Sequence, residues 1–335
     1  MPLHPELTAF LELVDASLCT GKRRLLHELS PAEARDEYDS ASAALDLPPI
    51  ALSNVQSLVI PVRDGTTLRA RLYSCRISDP LPTTRGSQYM SLADQPVLLF
   101  FHGGGFVVGS LDSHDSLCRS LASRTPCAVL SLEYRLAPEH CFPTAFNDGM
   151  DALAWLHRNG ARHGLDPNRI AVGGDSAGGT LAAAVSLATR NHSQLAGARP
   201  VLQLLMYPSL AGRQTTASQK LFAEGYLLEA ATIRWFFNHY LNSAADGSDW
   251  RFAPLLADVA GTVPAHLVLA EFDPLVEEGM AYARKLQAAD VPADVTCYPG
   301  MLHDFMRLGS IIPAEVQQAH ADAAAALARA FQGKA

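Results

Sequence analysis

The chain has 335 residues, 48% of them hydrophobic and 18% charged, with a formal net charge of −8. That length suits one large domain with an embellishment, and the balance of apolar and charged residues excludes a disordered chain. The acidic balance, broken only by the short basic cluster Lys22–Arg24, argues against nucleic acid or an anionic membrane as the main partner.

Residues 5–18 place Leu7, Phe10, Leu11, Val14 and Leu18 at helical spacing, which predicts an amphipathic helix. Ser30-Pro31 with Glu33 reads as the capped start of a second helix running to about Leu45 and stopped by Pro48-Pro49. "NVQSLVIPV" and "TLRARLYS" then alternate apolar and polar residues about Asp64-Gly65, the pattern of a hairpin. Residues 79–95 are polar and rich in turn formers, and predict a long surface loop.

Apolar runs alternate with helical segments from there. Strands are expected at 96–105, 127–134, 169–174, 201–208, 265–272 and 293–299. Helices are expected in "SLCRSLASR", in "GMDALAWLHRNG" up to Gly160, in "GGTLAAAVSLATR" and over about 313–332. Continuous Val/Leu/Ile strands alternating with helices imply an α/β fold with a mostly parallel central sheet and helices on both faces. The rhythm breaks between Pro208 and Ala265, where "LLEAATIRWFFNHYLN" forms a helix with Ile233, Phe236, Phe237, Tyr240 and Leu241 along one side. This helix and the two N-terminal ones have no sheet position of their own, and could meet as a lid over the strand ends.

Six cysteines (Cys19, Cys75, Cys118, Cys127, Cys141, Cys297) are scattered without a CxxC pair, and read as mostly buried, reduced thiols. The first residues lack a basic region ahead of an apolar stretch. No apolar run approaches the roughly 18 residues of a spanning helix. The expectation is a cytoplasmic protein with no membrane insertion.

Chemistry concentrates in "IAVGGDSAGGTLAAA". As a phosphate loop, G-x-x-x-x-G-K-[ST], it fits at Gly173, Gly178 and Thr180 but has Gly179 where the lysine belongs. As a nucleophile elbow it fits throughout: a strand, then Gly174-x-Ser176-x-Gly178, then a helix, with a tight turn exposing the serine hydroxyl. "FHGGGFVVG" (101–109) also follows a strand. A dinucleotide fingerprint would need glycine at Val108, although Gly103, Gly105 and Gly109 give a looser spacing. The better reading is an oxyanion hole, with backbone N–H groups of the glycines and of Ala177 facing a tetrahedral intermediate.

A serine needs a base. Of twelve histidines, His303 alone among those weighed follows a strand, "ADVTCYP", at the same sheet edge as Ser176; His157, His163 and His320 have helical settings. Asp273 follows "HLVLAEF" just before Pro274, and could equally be a helix N-cap. Asp290, Asp294 and Asp304 are poorer third members. His102 has no H-E-x-x-H partner, so it reads as orienting the glycine loop rather than holding a metal. No metal or cofactor is expected.

Taken together, "HGGGF" (102–106), "YRLAPEH" (134–140), "GDSAGG" (174–179), "DPLVEEG" (273–279) and "YPGMLHDF" (298–305) resemble the hormone-sensitive lipase-like family of α/β-hydrolases, in its bacterial esterase branch. The resemblance implies a carboxylesterase for short- to medium-chain acyl esters, with Ser176, Asp273 and His303 as triad and Gly103, Gly104, Gly105 and Ala177 as oxyanion hole. It also implies helical cap segments at about 1–50 and 209–255 around core segments 51–208 and 256–335. Glu139 and His140 are structural on this reading, and Asp175 anchors the elbow. The chain departs from the family in Glu277, where Asp is common, in Asp304, where Gly often follows the histidine, and in Cys141, in a usually proline-rich spot. Asp304 could perturb the pKa of His303 if its carboxylate points inward.

Other readings stay open: an amidase, lactonase or peptidase with the same triad, a non-catalytic receptor on the same fold, or a nicotinamide oxidoreductase built on Gly103–Gly109. Phe106, Tyr207, Phe222, Tyr226, Trp235 and Phe236 are candidate pocket walls for a small-molecule ester. The strand at 293–299 is expected to end the sheet, leaving an edge that can pair across a homodimer.

Overall fold

A computed structural model describes residues 2–75, 95–190 and 198–333. The loop expected at 79–95 lies outside the described residues apart from Gln95. Helix α1 (Pro5–Cys19) forms where the apolar spacing predicts it. Helix α2 (Pro31–Leu45) starts on a capping box in which Ser30 Oγ accepts the Glu33 N–H and the Glu33 carboxylate accepts the Ser30 N–H. Arg35 on α2 pairs with Glu139 at 2.6 Å and donates to the carbonyls of Val107 and Ala137, tying this helix to the loops above the sheet.

Strands β1 (Asn54–Pro61) and β2 (Thr67–Ser74) form the expected hairpin. The pairing of β2 onto the main sheet, antiparallel to β4 (Ala128–Leu132), has no local signal in the sequence. Strands β3 (Gln95–Phe101), β4, β5 (Leu165–Asp175), β6 (Gln203–Met206), β7 (Ala265–Phe272) and β8 (Ala293–Leu302) run parallel, and the order across the sheet is β1-β2-β4-β3-β5-β6-β7-β8. Strand β8 is therefore an edge. The strand expected over 96–105 stops at Phe101, because Gly104 and Gly105 adopt φ of +108° and +58°.

One face of the sheet is covered by α4 (Thr144–Asn159), α5 (Ala177–Thr189) and α8 (Val276–Ala288), through residues such as Leu153, Leu181 and Tyr282. The other is covered by α3 (Asp115–Arg124) and α9 (Pro313–Phe331), through Leu117, Leu121, Val316 and Leu327. Short α6 (Ala217–Leu221) and α7 (Ala230–Tyr240) fill the interval where the strand–helix rhythm breaks.

The neighbouring strands β3 and β5 send their connections in opposite directions, β3 through α3 to β4 on one side and β5 through α5 to β6 on the other. The loops after β3 and β5 consequently diverge and open a crevice at the carboxyl ends of the strands. The glycine loop and Ser176 lie there, joined by Asp273 after β7 and His303 after β8.

All six cysteines are free, but only Cys118 and Cys127 are buried; Cys19 and Cys75 are exposed. The expectation of mostly buried thiols is corrected. Cys19 is the last residue of α1 and Cys75 directly follows β2. No helix among the described residues is long and apolar enough to cross a membrane.

Candidate active site

Ser176 sits between β5 and α5 with φ +51° and ψ −116°, a conformation that costs energy for a residue with a Cβ. The flanking glycines let the turn close. A Cβ on Gly178 would lie 1.9 Å from the Phe101 carbonyl oxygen, and one on Gly174 would lie 2.3 Å from the same atom. The elbow is thus wedged against the end of β3, with the serine at its crest.

His303 Nε2 lies 3.0 Å from Ser176 Oγ, and His303 Nδ1 lies 2.8 Å from Asp273 Oδ2. Asp273 Oδ1 accepts the Leu275 N–H at 2.7 Å, so one carboxylate both holds the turn into α8 and meets the imidazole. The helix N-cap reading of Asp273 is not met, since Leu275 is the N-cap of α8 and Asp273 closes the turn just ahead of it. Asp273 and His303 are buried, and the Tyr207 ring stands edge-on to the imidazole at 5.0 Å. Burial pulls His303 toward its neutral form, but the charge and hydrogen bond of Asp273, with the Asp304 and Asp175 carboxylates behind it, outweigh that and leave its pKa raised. The Asp304 carboxylate itself pairs with Arg307 at 3.0 Å and approaches Tyr207 Oη at 3.4 Å.

The N–H groups of Gly104, Gly105 and Ala177 enter no hydrogen bond among the described residues and flank Ser176. Gly103 differs from expectation, since its N–H donates to Asp175 Oδ1 at 2.9 Å. That leaves the N–H groups of Gly104, Gly105 and Ala177, in residues that line the cavities at Ser176, without a hydrogen-bond partner among the described residues. His102 stacks on Tyr134 at 4.3 Å, with Nδ1 2.8 Å from the Gly103 carbonyl oxygen, and burial drives its pKa down to about 3. Among the described residues no group of His, Cys, Asp and Glu is arranged to hold a metal ion.

Two cavities meet at Ser176. The larger, ≈ 250 Å³, is bounded by Gly104, His303, Arg307 and Phe236, and by the apolar face of α1 with Tyr38 of α2. The smaller, ≈ 30 Å³, is bounded by Phe106, Ala177, Ile233, Phe236, Phe237 and Leu275, without His303. Phe236 and Leu228 line both, and Phe236 packs on Gly105, where an added Cβ would lie 2.1 Å from its ring. Of the six aromatic candidates, Phe106 and Phe236 line these cavities. Tyr207, Phe222, Tyr226 and Trp235 do not. Tyr207 is packed beneath His303, while Phe222 and Tyr226 cluster on Phe272. Trp235 precedes Phe236 on a helix, so the two point about 100° apart and cannot both face inward.

Sequence reasoning missed Tyr38, His114 and Arg307. Phe10, Val14 and Leu18 of α1 line the larger cavity, and their apolar face had no sheet partner in the sequence, which was the available signal.

The strand order, the elbow and the hydrogen-bonded serine, histidine and aspartate together define an α/β-hydrolase. Residues 98–307 match the family described as the alpha/beta hydrolase fold. An ethyl acetate hydrolase of Pseudomonas putida is 42% identical over 313 residues, covering 93% of this chain and 94% of that protein. Among solved structures, an ester-hydrolase from the metagenome of Lake Arreo, complexed with a bipyridine phosphonate derivative, gives a TM-score of 0.88 at 36% identity, covering 98% and 99% of the two chains. A hyperthermophilic esterase of Pyrobaculum calidifontis gives 0.87 at 31% identity, covering 100% of each. The chain belongs to the α/β-hydrolase fold family, in its hormone-sensitive lipase-like carboxylesterase branch.

Proposed function

We propose that the protein is a serine carboxylesterase for short- to medium-chain acyl esters, with Ser176 as nucleophile, His303 as general base and acid, and Asp273 orienting the imidazole. The observation that carries this reading is the unbroken series Ser176 Oγ, His303 and Asp273, with hydrogen bonds of 3.0 and 2.8 Å.

Ser176 Oγ attacks the ester carbonyl carbon as His303 Nε2 takes the hydroxyl proton. The carbonyl oxygen becomes an oxyanion facing the N–H groups of Gly104, Gly105 and Ala177. When the tetrahedral intermediate collapses, the C–O bond to the alcohol breaks and His303 returns the proton to the leaving oxygen. Water then enters, loses a proton to His303 and attacks the acyl-enzyme. Collapse of the second intermediate releases the acid and restores Ser176.

The leaving oxygen must reach His303 Nε2, and His303 borders only the larger of the two cavities. The alcohol is therefore assigned to the ≈ 250 Å³ side and the acyl chain to the ≈ 30 Å³ side. A space of that size suits the short end of the acyl range, since a single water needs roughly 10–15 Å³ on the same measure. Residues 1–50 and 209–255 act as the cap over the core. A cytoplasmic location and a homodimer paired through the β8 edge belong to the same reading.

An organophosphate tests it. One adduct is expected, on Ser176 by peptide mapping, with loss of p-nitrophenyl acetate and butyrate hydrolysis. Absence of an adduct, with hydrolysis surviving in Ser176→Ala, overturns the reading.

A further inference from the structure

Behind the glycine loop lies a second histidine–aspartate pair that the triad does not use. His114 and Asp175 are both buried, with His114 Nε2 3.1 Å from Asp175 Oδ2. The other oxygen, Asp175 Oδ1, accepts the Gly103 N–H at 2.9 Å, and His114 Nε2 lies 3.3 Å from the same nitrogen. The fit is close: a Cβ on Gly103 would lie 2.3 Å from Asp175 Oδ2. On its far side, His114 Nδ1 lies 2.9 Å from Ser113 Oγ, whose oxygen accepts the Ser110 N–H at 2.8 Å.

Asp175 immediately precedes Ser176, and Gly103 immediately precedes the two glycines that line the larger cavity with it. One carboxylate therefore joins the nucleophile's turn to the loop that carries the oxyanion donors. We infer that His114 is a positioning residue for this reaction: by holding the Asp175 carboxylate against the Gly103 N–H, it fixes Gly104 and Gly105 in the donor geometry the tetrahedral intermediate needs. The inference rests on the esterase reading above.

Two physical points support it. Gly104 and Gly105 have positive φ, a region that glycine visits in several forms, so the loop needs an external tether to hold one of them. An unpaired carboxylate buried behind the hole would also oppose a developing oxyanion. Burial would raise the Asp175 pKa, but the charge and hydrogen bond of His114, with Arg307 beyond, bring it below the ordinary value. The paired carboxylate thus stays ionised and able to accept the Gly103 N–H.

The test compares His114→Ala, His114→Gln and the parent on p-nitrophenyl acetate, alongside the affinity of an alkyl trifluoromethyl ketone that adds to a serine as an oxyanionic hemiketal. His114→Ala is expected to lower kcat about 10- to 100-fold, below the loss of a donor itself, with KM within about twofold. The ketone should weaken by the same factor as kcat/KM. Gln reaches Asp175 with its amide N–H and should recover most of both. Unchanged kcat or ketone affinity in a folded His114→Ala variant overturns the inference. So does a loss that falls equally on KM and ketone binding. If the alanine variant fails to fold, Gln against Asn carries the comparison, because Asn is too short to reach Asp175; equal behaviour of those two overturns it. A parent inactive on every ester would instead sink the esterase reading.

Discussion

Phe236 offers the most direct handle on the substrate assignment. Its ring lines both the ≈ 250 Å³ and the ≈ 30 Å³ cavity, together with Gly105, Ser176 and Leu228. Truncation to alanine removes that shared lining and is expected to enlarge the acyl side. Each further methylene accommodated contributes about 0.8 kcal/mol of burial, close to a fourfold gain in kcat/KM. Three added carbons, from acetate toward pentanoate, should shift the ratio of kcat/KM values by up to about 50-fold in favour of the longer ester. The large cavity is already open, so alcohol preference should change far less. The side chain is mostly buried, and its loss should cost about 3 kcal/mol of stability, the low end for such truncations, because the ring faces existing cavities. The assay is kcat/KM on p-nitrophenyl acetate, butyrate, hexanoate and octanoate for the parent, Phe236→Leu and Phe236→Ala, with melting curves alongside. A parent that prefers octanoate, or a folded Phe236→Ala variant with an unchanged chain-length profile, refutes the assignment of the acyl chain to the small cavity.

Two predictions concern pH. His303 must be neutral to take the serine proton, so activity falls as pH drops through its raised pKa, to which the Asp304 charge contributes. Asp304→Asn tolerates the left-handed backbone at φ +64°, and should move the acidic limb of kcat/KM to lower pH; an unmoved limb refutes the coupling. Glu278 is buried, accepts the N–H groups of Leu210 and Ala211, and is pushed by burial from 4.5 to about 8. The folded state therefore holds more protons than the unfolded one across that window, and Glu278 makes stability fall as pH rises from about 4.5 to 8. Glu278→Gln should flatten this slope in denaturant titrations at several pH values, and a slope identical to the parent's counts against the buried acid.

Periodicity made most of this molecule legible. Continuous apolar runs located the buried strands, and the apolar stripes of α1 and α7 marked helices that had to cover something other than the sheet. The elbow was readable because its chemistry is local: a turn closed against Phe101 demands glycine at 174 and 178, and a sequence records glycine directly. His303 and Asp273 could be chosen because topology puts strand ends on one edge, which is again a consequence of a local pattern.

What could not be read is which buried polar group meets which. His114 lies 61 residues from Asp175 in the chain, and Arg307 reaches Ser42 on α2 across 265 residues. In sequence His114 is one polar residue before a helix, and nothing in its neighbours distinguishes it from a solvated one. Its pairing also explains why Gly103 left the expected donor set. A run of three glycines predicts a backbone free to turn its N–H groups inward, but not how many of them the fold consumes to hold the turn. Here one N–H is committed to Asp175, and those of Gly104 and Gly105 are left without a partner among the described residues. The local signal supplies the flexibility, and a distant carboxylate decides how much of it is left for chemistry.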